Sequence, residues 1–155
     1  MSAKSHTYRL TVEWTGNTGA GTARPNGYSK NHVIRAAGRP DILASSDPAF
    51  NGDPDRYNPE ELLVAALSQC HMLWFLSRCA KHGIVVTGYA DDAIGTMVEH
   101  ADGGGEFTNV TLHPRITIDS PADRQLLARL HEESHRLCFI ARSVNFPVEV
   151  EAEYL

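Results

Sequence analysis

The sequence is poor in cysteine, methionine and tryptophan, with 3, 3 and 2 among 155 residues. Three cysteines are an odd number, and too few for the disulfide framework that small secreted scaffolds use in place of a core. An excess of basic charge is also missing. Against 19 Asp and Glu there are 14 Lys and Arg, for a net charge of -5. A nucleic-acid or anionic-membrane partner needs a basic patch, so neither is expected. No clean apolar run of bilayer length occurs. The most apolar stretch, Leu62 to Ala80, is interrupted by Ser68, Gln69, His71, Ser77 and Arg78, which argues against a membrane span. Met1 to Leu10 carries Lys4, His6 and Arg9 and lacks the apolar centre of a signal peptide. A reducing cytoplasm is the expected location, where free thiols persist. No cofactor is expected.

What is present is ordinary globular material, 42% apolar and 21% charged. At roughly 100–200 residues per domain the chain reads as one domain over residues 1–155. Tyr8, Leu10, Val12 and Trp14 alternate as in a strand. Gly16, Gly19, Gly21, Pro25 and Gly27 mark turns. His32 to Ala37 is a further strand candidate, and Arg39 to Tyr57 reads as a long loop, a length that is often functional.

Asn58-Pro59-Glu60-Glu61 opens the clearest element. Asn58 is a good N-cap, Pro59 suits the first helical position, and the glutamates suit the positive helix end. The helix should run to about His82 and stop at Gly83. It is apolar nearly all round, which predicts burial. One domain of this size has trouble surrounding such a helix, so a dimer is expected. Ile84 to Glu99 and Phe107 to Ile118 read as strands of a long hairpin turning at Asp102-Gly103-Gly104-Gly105. A second helix should start at a Ser120 cap, with Leu126, Leu127, Leu130, Ser134 and Leu137 inward. Pro147 to Tyr154 closes as a strand. The order predicts an α+β fold with an antiparallel sheet.

Cys70 sits mid-helix between Gln69 and His71. A reactive thiol needs a cation or hydrogen-bond donors nearby, but His71 points about 100° away on an ideal helix. His71 reads as a polar residue on the less buried side. Cys79 is nine positions on, at the opposite helix face, so the two cannot pair on one helix. Cys138 follows the second helix. For each cysteine a small core hydrophobe is the competing reading.

The run Asn58-Pro59-Glu60 to Cys70-His71 resembles the OsmC/Ohr family of osmotically inducible and organic hydroperoxide resistance proteins, whose signature is Asn-Pro-Glu with a cysteine ten residues past the Glu. Cys138 to Val148 resembles its second signature, a late cysteine before a closing strand. The likeness runs from Trp14-Thr15-Gly16 to the last strand. It implies antiparallel sheets wrapped around a long buried central helix, a second helix near the carboxyl end, and an intertwined homodimer.

The resemblance also implies a thiol peroxidase. Cys70 would attack an organic hydroperoxide, Cys138 would resolve the sulfenic acid as a disulfide, and a dithiol, in some members a lipoylated protein, would reduce it. Glu60 matches the glutamate that organises a catalytic arginine. Ten helical residues rise about 15 Å, so Glu60 is expected to serve the Cys70 of the other subunit. Two positions depart from the family. Asn17-Thr18 precedes Gly19-Ala20-Gly21-Thr22 where an arginine is usual, leaving Arg24 as the nearest candidate and Lys30, Arg39 and Arg56 as others. Phe139-Ile140 replaces a common Cys-Pro.

His131-Glu132-Glu133-Ser134-His135 matches H-E-x-x-H, a zinc pattern when two histidines share one helix face. Cys138 could add a third ligand. Only twenty residues follow, however, so an exposed polar helix face is the favoured reading. A third possibility is a binding protein whose buried helix and loop Arg39 to Tyr57 frame a pocket for a lipid-like molecule. The same loop could line a substrate entrance.

Overall fold

Alternation does make the first strand, but only four residues of it. The computed structural model describes residues 3–119 and 122–155, and the chain divides into two compact units, Met1–Leu62 and Leu63–Leu155. In the first unit β1 (Thr11–Trp14), β2 (His32–Arg35) and β3 (Ile42–Ala44) form an antiparallel sheet in that order. Tyr8 and Leu10 fall outside β1 and are exposed. The Trp14 indole N–H donates to the Ser29 carbonyl at 2.8 Å, closing the turn region back onto the strand.

The expected long loop is not structureless. It contains β3 and a short 3-10 turn at Pro48–Phe50 capped by the Asp47 carboxylate, which accepts from Ala49 N–H at 2.7 Å. Ser45 is buried and its hydroxyl accepts from Asp53 N–H. Gly52 is obligatory here, because a Cβ would run into the Ser46 carbonyl. Polar side chains and a glycine turn set this path, and they carry no hydrophobic period to read.

Helix α1 spans Pro59–Lys81. Asn58 and Glu61 cap it reciprocally. Glu61 N–H donates to Asn58 Oδ1 at 2.8 Å, and Asn58 N–H donates to the Glu61 carboxylate at 3.1 Å. It ends where expected, at Gly83 with φ 69°. Burial is narrower than expected. Leu67, His71, Phe75 and Cys79 form one buried stripe, whereas Leu73 is 60% exposed. α1 is also long and apolar enough to cross a membrane by length and composition alone, and its stripe packs into a protein core.

In the second unit each expected hairpin strand is broken in two. β4 (Val86–Asp91) pairs with β7 (Pro114–Ile118), and β5 (Ile94–Glu99) pairs with β6 (Gly105–Leu112), both antiparallel. The Asp91 carboxylate holds the break, accepting from His113 N–H at 2.7 Å and from the Ser68 hydroxyl at 2.5 Å. The closing strand is also split. β8 (Val148–Val150) joins β6 and β9 (Glu153–Tyr154) joins β7, both parallel. The sheets are therefore mixed, a correction to the all-antiparallel expectation. The chain returns through a helix, and such a crossover permits parallel pairing.

Helix α2 spans Arg124–Leu137 and is capped by Asp123, which accepts from Gln125 N–H at 3.0 Å. The expected cap Ser120 lies outside the described residues. Two core clusters divide α1 between them. Phe75 and Cys79 pack with Ile84, Ile116, Leu127 and Leu130. Leu67 packs with Val110 and Leu112. The thiol-bearing turn of α1 lies between these clusters.

Candidate active site

Cys70 is half-buried on α1. Cys138 is the C-cap of α2 and 1% exposed. Its N–H closes the helix on the Ser134 and His135 carbonyls, and its sulfur accepts from Ala141 N–H at 3.3 Å. Burial first, and then hydrogen bonding with the Cys70 side chain, push the Cys138 thiol up to about 11. The second unit thus brings these two thiols together, and both are free. Cys79 is different: it lies in the core, and burial alone raises it to about 11.

Apolar rings stand beside the thiols. Trp74, one turn past Cys70, meets Phe139, the residue after Cys138, edge-on at 5.8 Å. Phe139 is one of the residues that replace the usual Cys-Pro, so the departure supplies an aromatic wall.

The remaining candidates belong to the first unit. Glu60 is half-buried in the first turn of α1. Glu61 takes the capping role, which leaves the Glu60 carboxylate without a partner among the described residues. Arg24 is exposed in the turn region, and its carbonyl accepts from Gly27 N–H at 3.1 Å. Arg39 is exposed in the turn after β2. Lys30 lies over the Tyr28 ring at 3.9 Å. Arg56 pairs with Asp53 at 3.4 Å and donates to the His32 carbonyl. Asp53 is held below the usual carboxylate range, chiefly by the Asp55 N–H and then by Asn31.

The histidines behave unlike the sequence reading. His71 is 2% exposed, not on the less buried side, and His131 is 8% exposed, not on an open polar face. His71 Nε2 and His131 Nδ1 are 2.9 Å apart, with ring planes within 2°. His131 also stacks on Phe75 at 3.9 Å. Burial pushes His71 down to about 4 and His131 to about 3, so both are neutral at pH 7. His71 continues the i, i+4 series of Leu67, Phe75 and Cys79, and that spacing was the readable signal for its burial. The Cys138 thiol interacts with Cys70. No group of three or more His, Cys, Asp or Glu suited to a metal occurs among the described residues.

A long cysteine-bearing helix, a second helix and mixed sheets define an α+β class of fold. The family model for OsmC-like proteins matches residues 52–153, and the chain belongs to that family. It is 34% identical to an OsmC-like protein of unknown function from Vibrio cholerae, with a TM-score of 0.85, covering 96% of this chain and 100% of that one. It also shares its fold with an organic hydroperoxide resistance protein from Elizabethkingia anophelis at 18% identity and TM-score 0.67, covering 97% of this chain and 98% of that one. An organic hydroperoxide resistance protein OsmC from Legionella pneumophila matches at 14% identity and TM-score 0.67, with the same coverage. At such identities the likeness speaks for the fold. No curated protein matches.

Proposed function

We propose that the protein is a thiol peroxidase that reduces organic hydroperoxides. The observation that carries this reading is the pairing of Cys70 with the buried Cys138 thiol. The Cys70 thiolate attacks the distal oxygen of ROOH. An S–O bond forms, the O–O bond breaks, and the alkoxide leaves as ROH after taking a proton. The Cys138 thiolate then attacks the sulfenic sulfur. An S–S bond forms, the S–O bond breaks, and hydroxide leaves as water. A dithiol, such as a lipoylated protein, returns both thiols by exchange. The Trp74–Phe139 wall favours a peroxide with an apolar substituent.

The Glu60 carboxylate orients a cation that activates the thiol, with Arg24 the first choice. The working form is a homodimer. Its support is the exposed apolar surface of β1 and the exposed Leu73 of α1. The free thiols suit a reducing cytoplasm.

The test is peroxide-dependent thiol loss with cumene hydroperoxide. Wild-type protein should lose two thiols rapidly, and Cys70→Ser should abolish the loss. Cys138→Ser should stop at a sulfenic acid that a dimedone-type reagent traps. A rate no faster than that of free cysteine rejects the reading.

A further inference from the structure

One turn of α1 meets α2 at two places. Cys70 hydrogen-bonds with Cys138, and the next residue, His71, shares a hydrogen bond between its Nε2 and His131 Nδ1 at 2.9 Å. His131 and Cys138 are seven positions apart on α2, which puts them on one face, two turns or about 10 Å apart along the axis. Ser134 lies between them on that face and is fully buried, so the line from His131 to Cys138 is turned inward. Cys138 closes the helix as its C-cap, and the place of its thiol is therefore set by where the end of α2 lies.

The other contacts between the helices fix α2 less closely. Leu127 and Leu130 pack with Phe75, but apolar attraction is non-directional and tolerates a small slide or turn of the helix. Arg78 pairs with Glu133 at 3.2 Å, through two long side chains that can follow such a movement. The histidine bond is directional and sealed from competing water, since both rings are buried. The ring planes lie within 2° of each other, and Phe75 stacks on His131 at 3.9 Å. Phe75 follows His71 by one turn of α1, so α1 holds the His131 ring by its edge and by its face.

We propose that His71 and His131 are positioning residues, whose hydrogen bond fixes the rotation and height of α2 against α1 and thereby keeps Cys138 within bonding reach of Cys70. The inference rests on the reading of those thiols as a redox pair. A contact at the thiols alone leaves α2 free to pivot about that point. A second contact two turns away removes that freedom before any disulfide forms. Closing the disulfide then demands less ordering, because both sulfurs are already placed. In this role the histidines touch no substrate and transfer no proton.

The test leaves peroxide out. The full chain is equilibrated with oxidised and reduced glutathione, and the Cys70–Cys138 disulfide is assigned by mass spectrometry. The two protein thiols are oxidised to the disulfide, one glutathione disulfide is reduced to two thiols, and the exchange constant reads how well the two sulfurs are placed. The double variant His71→Leu/His131→Phe removes the bond, leaves neither imidazole bare and retains a ring against Phe75. It and the single variant His131→Phe should each lower the constant about tenfold, raising the reduction potential by about 30 mV. His131→Asn gives up the ring but keeps an acceptor near the place of Nδ1, and should stay close to wild type. Val33→Ala lies outside both core clusters and should destabilise the chain without changing the constant. Phe-bearing variants equal to wild type overturn the proposal and leave the redox pair standing. His131→Asn falling as far as they do overturns it in favour of the ring stack, and an equal fall in Val33→Ala overturns it in favour of lost stability. A wild-type chain that forms no Cys70–Cys138 disulfide removes the redox pair itself, and the positioning role with it.

Discussion

The two units are built on opposite terms. In the first, the buried apolar side chains among the described residues are Val33 and Ala44, while Leu10, Val12, Trp14 and Leu43 are exposed. Its order comes from polar contacts: Arg35 pairs with Glu13 and Asp41, and Asp53 with Asn31 and Arg56. The second unit has two core clusters, α1 and α2 with their sheets, and the two neighbouring thiols. A few surface ion pairs contribute about 0–1 kcal/mol each. One fully buried aromatic contributes several times that. The second unit can therefore hold its side chains in place by its own packing, whereas the first leaves much of its apolar surface exposed.

The contrast can be broken by substitution. Phe75→Ala removes a fully buried ring that also supports His131, and should cost about 3–5 kcal/mol in urea unfolding. Val33→Ala in the first unit should cost clearly less. Equal costs would mean that the first unit carries a core of comparable weight.

Acid should expose the second unit next. His71 and His131 titrate near 4 and 3 when folded, below the unfolded value of 6.5, because burial disfavours their charged forms. Between pH 6.5 and about 4 the unfolded chain binds more protons than the folded one. Their contribution is therefore complete above pH 6.5 and is lost as pH falls. A loss on the order of 3 kcal/mol per histidine is expected by pH 4. A double variant His71→Leu/His131→Phe should flatten the stability profile over that range, and an unchanged slope would remove the pair as its cause.

The smallest effect belongs to the first unit. Arg35→Gln breaks two ion pairs whose side chains are about half exposed. It should cost less than Val33→Ala, and less still in high salt. A larger cost that persists in salt would show that this sheet depends on its charges more than surface screening allows.

Much of the site was legible because the chemistry was local. Asn58, Glu61 and Gly83 delimit α1 by capping and by a left-handed φ, and each of these acts within a turn. The place of Cys79 in the core followed from counting helical angle. The breaks at Asp91 and His113 were not legible, since they depend on a carboxylate bonded across two strands. The depth of His71 and His131 was misread for a similar reason: histidine is compatible with either environment, and the partner ring comes from a residue 60 positions away.

By itself the sequence determined the two helices, the limits of α1, the α+β order and the family signature around Cys70, because propensity, capping and periodicity operate over neighbouring residues. Tertiary structure alone decided that Cys138 reaches Cys70, that a histidine pair lies between two helices, and that β8 and β9 run parallel to their partners. Those facts depend on where distant segments come to rest. Packing and hydrogen-bond satisfaction determine that, and neither is written in any one stretch of the chain.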